Sequence, residues 1–123
     1  MRKLFSLVFL TFWGITTLAQ DFSNKGKEFW VGYGSHVSMY NANGTVNTGG
    51  GAQDMVLYFT SDRNATVTVE IPSLGWTNTY NVIANQVTTS ARLPKTGAQD
   101  ARITDEGKSG KGIHITSDFP IIA

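Results

Sequence analysis

Hydrophobic and polar residues alternate along much of this chain with the period of two that is typical of β-strands. The alternation is cleanest over residues 65–71, where three aliphatic side chains fall on one face and threonine and glutamate fall on the other. Residues 28–33 and 113–116 alternate in the same way. No window free of glycine and β-branched residues carries the i, i+3, i+4, i+7 pattern of an amphipathic helix. The pattern therefore predicts an all-β protein.

Further strands are predicted between these segments. A nearly continuous apolar run at residues 54–61 is typical of a central strand that is covered on both sides. The polar residues 61–64 have the length and composition of a hairpin turn, so residues 54–71 are predicted to form a β-hairpin. Two short strands are expected at residues 76–82 and 86–93.

The first residues have the pattern of a secretory signal peptide, residues 1–20. Two cations precede an apolar stretch that is long enough to engage an export channel and shorter than the ~20 residues a membrane span needs. Thr17 and Ala19 place small side chains three and one residues before a cut after Ala19, and a cut after Gln20 is the second choice. An uncleaved anchor helix is the alternative, and the shortness of the run argues against it.

Removing this segment changes the charge of the chain. Without Arg2 and Lys3, eight basic residues face nine acidic ones, a net charge of −1. That balance predicts no nucleic-acid partner and no anionic membrane surface as a partner after cleavage. The sequence holds no cysteine, which excludes a lipoprotein anchor and disulfide staples. We expect a secreted or cell-surface domain that is stabilised by its core alone.

Short strands at intervals of roughly ten residues favour an antiparallel β-sandwich, jelly-roll or Ig-like, over residues 21–123. A loop is predicted at residues 94–112 and a turn at residues 117–120. Residues 121–123 look like the start of a strand without a pairing partner, which is an implausible end for an exported domain. We therefore expect the N-terminal part of a longer protein, with the sandwich incomplete at its C-terminus and further domains downstream.

The aromatic residues offer one possible binding surface. A sheet face with exposed rings provides rigid apolar area with polar tips, which suits a sugar or a protein ligand. In a sandwich, most such rings belong to the core, and this alternative is the stronger one. The candidate ligand-face residues are Trp30, Tyr33, Tyr40 and Trp76.

Other chemistry is weakly indicated. Ser35, His36 and Asp54 can be arranged on paper as a hydrolase triad, but the strained nucleophile turn of such enzymes is absent from the sequence. The chain has only two histidines and no cysteine, so no zinc site is predicted. We predict no catalytic residue and no cofactor.

The loop at residues 94–112 holds Asp100, Asp105 and Glu106, so calcium is conceivable there. The spacing of these acids matches no EF-hand and no nonapeptide repeat. A solvated loop is therefore the preferred interpretation.

Two motifs resemble a known family. Residues 24–31 (NKGKEFWV) and 111–121 (KGIHITSDFPI) are similar to segments of the IgGFc-binding protein N-terminal domain, as it occurs in exported surface proteins of Bacteroidetes. The resemblance extends over most of residues 24–123 and implies a β-sandwich module at the front of a large surface protein secreted by the type IX route. It implies no catalytic residue.

From these observations we expect a non-enzymatic exported β-domain for adhesion or for binding an extracellular protein or glycan. An accessory or catalytic domain of an exported hydrolase, with His36 and Asp54 at a cleft, is one alternative. A structural spacer without a ligand is the other.

The signal peptide is directly testable. We expect the exported protein to begin at Gln20, because signal peptidase requires small side chains three and one residues before its cut. N-terminal sequencing or intact-mass measurement of the exported protein checks this. A mature protein that still begins at Met1 would contradict it.

Overall fold

A computed structural model of the chain describes residues 24–34, 36–48 and 53–123. The predicted signal peptide, residues 1–20, lies outside the described residues, as do its cleavage positions Ala19 and Gln20.

The described chain is built from antiparallel strands. A four-stranded sheet has the order β1-β6-β3-β4, and a separate pair consists of β2 and β5. Every pair of neighbouring strands is antiparallel, which confirms the predicted all-β class at this level. The strands are β1 (Gly26–Val31), β2 (Tyr58–Phe59), β3 (Ala65–Ile71), β4 (Trp76–Val82), β5 (Thr88–Thr89) and β6 (Ile113–Ile121). Single 3-10 turns occur at Val37–Met39, Pro72–Leu74 and Gly97–Gln99.

Strand β3 is the best-predicted element. Its alternating residues Val67, Val69 and Ile71 are fully buried, and it pairs with β4 on one side and β6 on the other. The connection to β4 passes through the turn Pro72–Leu74 and Gly75, whose φ of 60° lies in the left-handed region that favours glycine. The predicted strands 65–71 and 76–82 are both confirmed.

The core lies on one face of the four-stranded sheet. Ile113 and Ile115 of β6 join the buried residues of β3 on this inner face. Residues from outside the sheet complete the same cluster, namely Met39, Met55, Phe59, Leu93 and Ala101. Long connections therefore supply much of the core, because a four-stranded sheet alone cannot cover its own apolar face.

The predicted hairpin 54–71 is wrong. Its first half, β2, pairs with β5, and its second half, β3, pairs with β4 and β6. Ser61 is buried, and its hydroxyl donates to the carbonyl of Pro120, 2.9 Å away. Residues 61–64 thus lead the chain from one sheet to the other. Tyr58 is 59% exposed, so residues 54–61 are not a strand covered on both sides.

Two other predicted strands differ in extent. The first runs over residues 26–31 in place of 28–33, and Tyr33 instead forms an isolated bridge with Arg102. The predicted strand 86–93 contains only the two-residue β5. Beyond β5, single backbone hydrogen bonds hold this segment, with the Ser90 and Leu93 amides donating to carbonyls of the 53–57 segment.

The predicted turn at residues 117–120 is a bulge within β6. Glu28 faces Thr116 but Gly26 faces Ile121, so β6 carries extra residues at this point. Residues 121–123 are not an unpaired strand start. Ile121 is fully buried, and Ile122 exchanges two backbone hydrogen bonds with Thr60. The reasoning from an unpaired apolar end therefore does not hold.

A buried arginine organises the loop at residues 94–112. Arg102 is only 1% exposed, and its Nε and Nη2 donate to the two carboxylate oxygens of Asp100 at 2.9 and 2.7 Å. Its Nη1 and Nη2 also donate to the carbonyls of Asn47 and Lys95, each at 2.7 Å. Four donated hydrogen bonds compensate for removing the guanidinium from water. The loop is therefore anchored from within.

Replacing Arg102 should destabilise the protein strongly. In Arg102→Met the Asp100 carboxylate and two carbonyls lose their buried donors, and we expect a loss of about 3–5 kcal/mol in unfolding free energy. Denaturant unfolding of the purified protein measures this loss. Arg92→Met is the matched control, because the Arg92 side chain is 76% exposed where it pairs with Asp54. Equal unfolding midpoints for the two variants would contradict the anchoring role.

The pair of Arg102 and Asp100 makes the stability of the fold depend on pH. The hydrogen bonds from Arg102 lower the pKa of Asp100 below its ordinary value of 3.8. A carboxylate with a lowered folded pKa stabilises the fold above its unfolded pKa and loses that contribution as pH falls through the folded pKa. We therefore expect Asp100→Asn to be less stable than wild type at neutral pH, with the difference shrinking below about pH 4. Unfolding curves across this pH range measure the difference, and a gap that is unchanged at acid pH would contradict it.

Candidate functional site

The second face of the four-stranded sheet, here the outer face, is polar. Residues paired across strands share a face, so the register fixes the set that lies opposite the core. Five threonines dominate it, and Thr68 lies directly between Thr116 and Thr79. The full set is Glu28 and Trp30 of β1, His114 and Thr116 of β6, Thr66, Thr68 and Glu70 of β3, and Thr77, Thr79 and Asn81 of β4.

Trp30 is the large aromatic side chain of this face. Its ring stacks on the imidazole of His114, with centroids 4.3 Å apart and planes inclined by only 12°. The ring also lies over Gly112, where an added Cβ would come within 3.3 Å of it. Trp30 nevertheless remains 62% exposed. The fold thus holds a broad aromatic surface open to solvent in a defined orientation.

Two glutamates flank His114 beneath this ring. The Nε2 of His114 lies 2.9 Å from Glu28 Oε1, and because a carboxylate only accepts, the imidazole N–H donates there. Its Nδ1 lies 3.6 Å from Glu70 Oε2 on the other side. The His114 side chain is 19% exposed, whereas those of Glu28 and Glu70 are 64% and 45% exposed. The hydrogen bond to Glu28 therefore orients the histidine, and both carboxylates face solvent.

The four candidate aromatics do not share one face. Trp30 lies on the outer face, but Trp76 is paired with Ile71 on the inner face and packs against the core. Tyr33 and Tyr40 are partly buried against the same cluster, and their hydroxyls donate to the carbonyls of Val56 and Thr104. Of the predicted set, only Trp30 lies exposed on the outer face. The other three side chains pack against the core, as the alternative interpretation expected.

The residues of the possible hydrolase arrangement have separate partners. His36 caps the turn Val37–Met39, and its Nδ1 accepts the Ser38 amide at 3.2 Å. Asp54 pairs with Lys95 at 2.8 Å and with Arg92 at 3.0 Å. The hydrogen bond from Lys95 lowers the pKa of Asp54, which makes this carboxylate a weaker base. Ser35 lies outside the described residues.

The acids considered for calcium are also divided. Asp100 is engaged by Arg102, whereas Asp105 and Glu106 are exposed beside a cleft of about 340 Å³ that Ser73 and Lys108 also line. Across residues 24–34, 36–48 and 53–123, no three His, Asp or Glu side chains are placed so that they could hold a metal ion. In the same ranges, no helix has the length and hydropathy that a membrane span requires.

Comparison of the chain with protein-family models, curated proteins and solved structures finds no match. The resemblance to the IgGFc-binding protein N-terminal domain therefore stays a prediction that rests on its two motifs.

The sequence singles out Trp30 as an aromatic residue but does not reveal the residues that surround its ring. Glu28 and Trp30 are two residues apart on a strand, a spacing that places them on one face. His114 and Glu70 lie on other strands, and only the pairing of β6 with both β1 and β3 brings them together. The alternation of threonines in 66–68 and 77–79 was a visible signal for a polar outer face.

Proposed function

We propose that this chain is a non-enzymatic, exported or cell-surface β-domain that binds a neutral glycan on its outer face. The observation that carries the proposal is the exposed Trp30 ring, stacked on a histidine that Glu28 holds by a hydrogen bond. Adhesion to glycan-bearing surfaces is the role that this binding serves.

A sugar ring is chemically matched to this surface. One side of a pyranose presents C–H groups, and its rim presents hydroxyls. An indole held flat and 62% exposed offers apolar area to the C–H side without a large loss of side-chain freedom. The carboxylates of Glu28 and Glu70 and the threonine hydroxyls are hydrogen-bond partners for the rim. Because the ring orientation is set before binding, little ordering cost remains.

The charge on this surface favours a neutral glycan. Glu28 and Glu70 flank the stacked pair of Trp30 and His114, here the Trp30 platform. The histidine between the two glutamates already donates a hydrogen bond to Glu28. A uronate or sulfate placed on Trp30 would be close to both carboxylates and would be repelled. Neutral hexoses meet no such repulsion.

The proposal also includes a β-sandwich architecture and a location outside the cytoplasm. The four-stranded sheet and the β2–β5 pair contribute to one core, which supports a β-sandwich of the jelly-roll or Ig-like kind. The signal-peptide pattern at residues 1–20 supports export. The resemblance to IgGFc-binding N-terminal domains supports a place in a larger surface protein of the type IX route.

We expect Trp30→Ala to weaken glycan binding by roughly tenfold or more while the fold is retained. A screen of the purified protein on an array of neutral and acidic glycans identifies the ligand, and isothermal titration then measures its affinity. Loss of an aromatic anchor at the centre of a site weakens binding by roughly tenfold or more. Tyr58→Ala is the matched control, because Tyr58 is 59% exposed on β2, away from the outer face.

Several outcomes would contradict this proposal. Neutral-glycan binding that Trp30→Ala leaves unweakened would place the site elsewhere, and a preference for acidic glycans would contradict the charge argument. Absence of glycan binding together with capture of a purified host protein would favour a protein ligand. Absence of both would favour the structural spacer, and hydrolysis of an arrayed glycan would favour the hydrolase alternative.

A further inference from the structure

The two edges of the four-stranded sheet are protected to different degrees. Edge strand β1 includes Lys27 and Glu28 and follows Lys25, and charges of this kind discourage pairing with another chain. Edge strand β4 has the sequence WTNTYNV, without a charge, a proline or a glycine. Such a segment has the composition of strands that pair readily with other strands. β4 is therefore the edge to examine for a partner.

The hydrogen bonds around β3 identify which β4 backbone groups face outward. The amide of Thr66 donates to the side-chain Oδ1 of Asp118 in β6 at 2.7 Å, so the Thr66 backbone and the other even-numbered residues of β3 face β6. The odd-numbered residues must then bond to β4, and their partners there include Asn78, which lies opposite Val69. It follows that Thr77, Thr79 and Asn81 direct their amides and carbonyls away from the sheet.

One end of this edge is already occupied. The carbonyl of Asn81 accepts the hydroxyl of Thr88 at 3.5 Å, which also supports the outward direction of the odd-numbered residues. For Thr77 and Thr79, the described part of the chain supplies no backbone partner on that side. Two amides and two carbonyls in an exposed strand therefore remain for another strand.

We propose that β4 pairs with β4 of a second copy of this chain, antiparallel and about a two-fold axis through Asn78. In this register Thr77 faces Thr79 of the second copy, and the two pairs exchange four hydrogen bonds. The register uses the available groups of both strands and avoids the occupied carbonyl of Asn81.

Charge and side-chain matching favour a second copy as the occupant. A neutral strand that pairs with itself brings no like charges together, whereas a charged peptide would find no counter-charge along residues 76–82. On the outer face the register places threonine opposite threonine, a favourable cross-strand pair. The two-fold keeps both outer faces on the same side of an extended sheet. If the Trp30 platform binds glycan as proposed above, the dimer presents two platforms to one surface.

Cysteine cross-linking tests the register directly, because the chain has no cysteine of its own. In this register the two Asn78 residues form a non-hydrogen-bonded pair with Cα atoms about 4.5 Å apart, within the reach of a disulfide. We expect Asn78→Cys to form covalent dimers under mild oxidation, several-fold faster than Thr79→Cys. Val87→Cys, at a position that is 67% exposed outside β4, measures random collision.

A second pair of variants separates edge pairing from chance proximity. In the Asn78→Cys background, Thr79→Lys adds a charge to the edge and should reduce cross-linking several-fold. Thr66→Lys adds the same charge to the same face within β3 and should leave the rate unchanged. Circular dichroism melting curves confirm that each variant is folded. Cross-linking of Asn78→Cys no faster than Val87→Cys, or fastest at Thr79→Cys, would overturn the proposal. Failure of glycan binding would leave these rates unaffected.

Discussion

The buried pair of Arg102 and Asp100 is the interaction on which the long connections depend. The chain has no disulfide, and its core includes residues such as Met39 and Met55 from segments with almost no regular structure. Those segments need fixed backbone positions to contribute to a core. The Arg102 guanidinium fixes those backbone positions, because it donates to the carbonyls of Asn47 and Lys95, which lie in two separate connections. Asp100 neutralises its charge. A carboxylate partner alone would not join the connections, and carbonyls alone would leave a charge buried without compensation.

This anchoring leaves the four-stranded sheet free to expose its other face. Because the connections cover the inner face, none of them is required over the outer face, which carries threonines, two glutamates and Trp30. Strand β6 is central to the arrangement. It pairs with β1 and β3 at once, so His114 meets a tryptophan on one side and a carboxylate on the other. The platform is a product of strand order.

The sequence predicted the elements where local pattern and final environment agree. β3 follows strict alternation and β4 follows it except at Asn78, and a glycine with positive φ turns the chain between them. The prediction for the apolar run at 54–61 is wrong because periodicity does not reveal which strand is the partner, and the partner β5 is only two residues long. The bulge at 117–120 carries turn residues for a local reason, since Asp118 bonds the Thr66 amide within the sheet. Arg102 gave no signal, because a lone arginine in a glycine-rich loop normally indicates solvent exposure.

The surroundings of Trp30 could not be predicted from the sequence, because they depend on contacts between residues that are far apart along the chain. Trp30 could be singled out as an aromatic residue, but the position of its ring depends on the absence of a side chain at Gly112 and on the imidazole beneath it. These residues are more than eighty positions away in the sequence. Long-range antiparallel pairing brings them together, and the same pairing determines that β4 lies at an edge. The proposed ligand surface and the proposed pairing edge therefore have one origin, the strand order β1-β6-β3-β4. A change that reordered the strands would remove both, whereas the substitutions at Trp30 and Asn78 affect them separately.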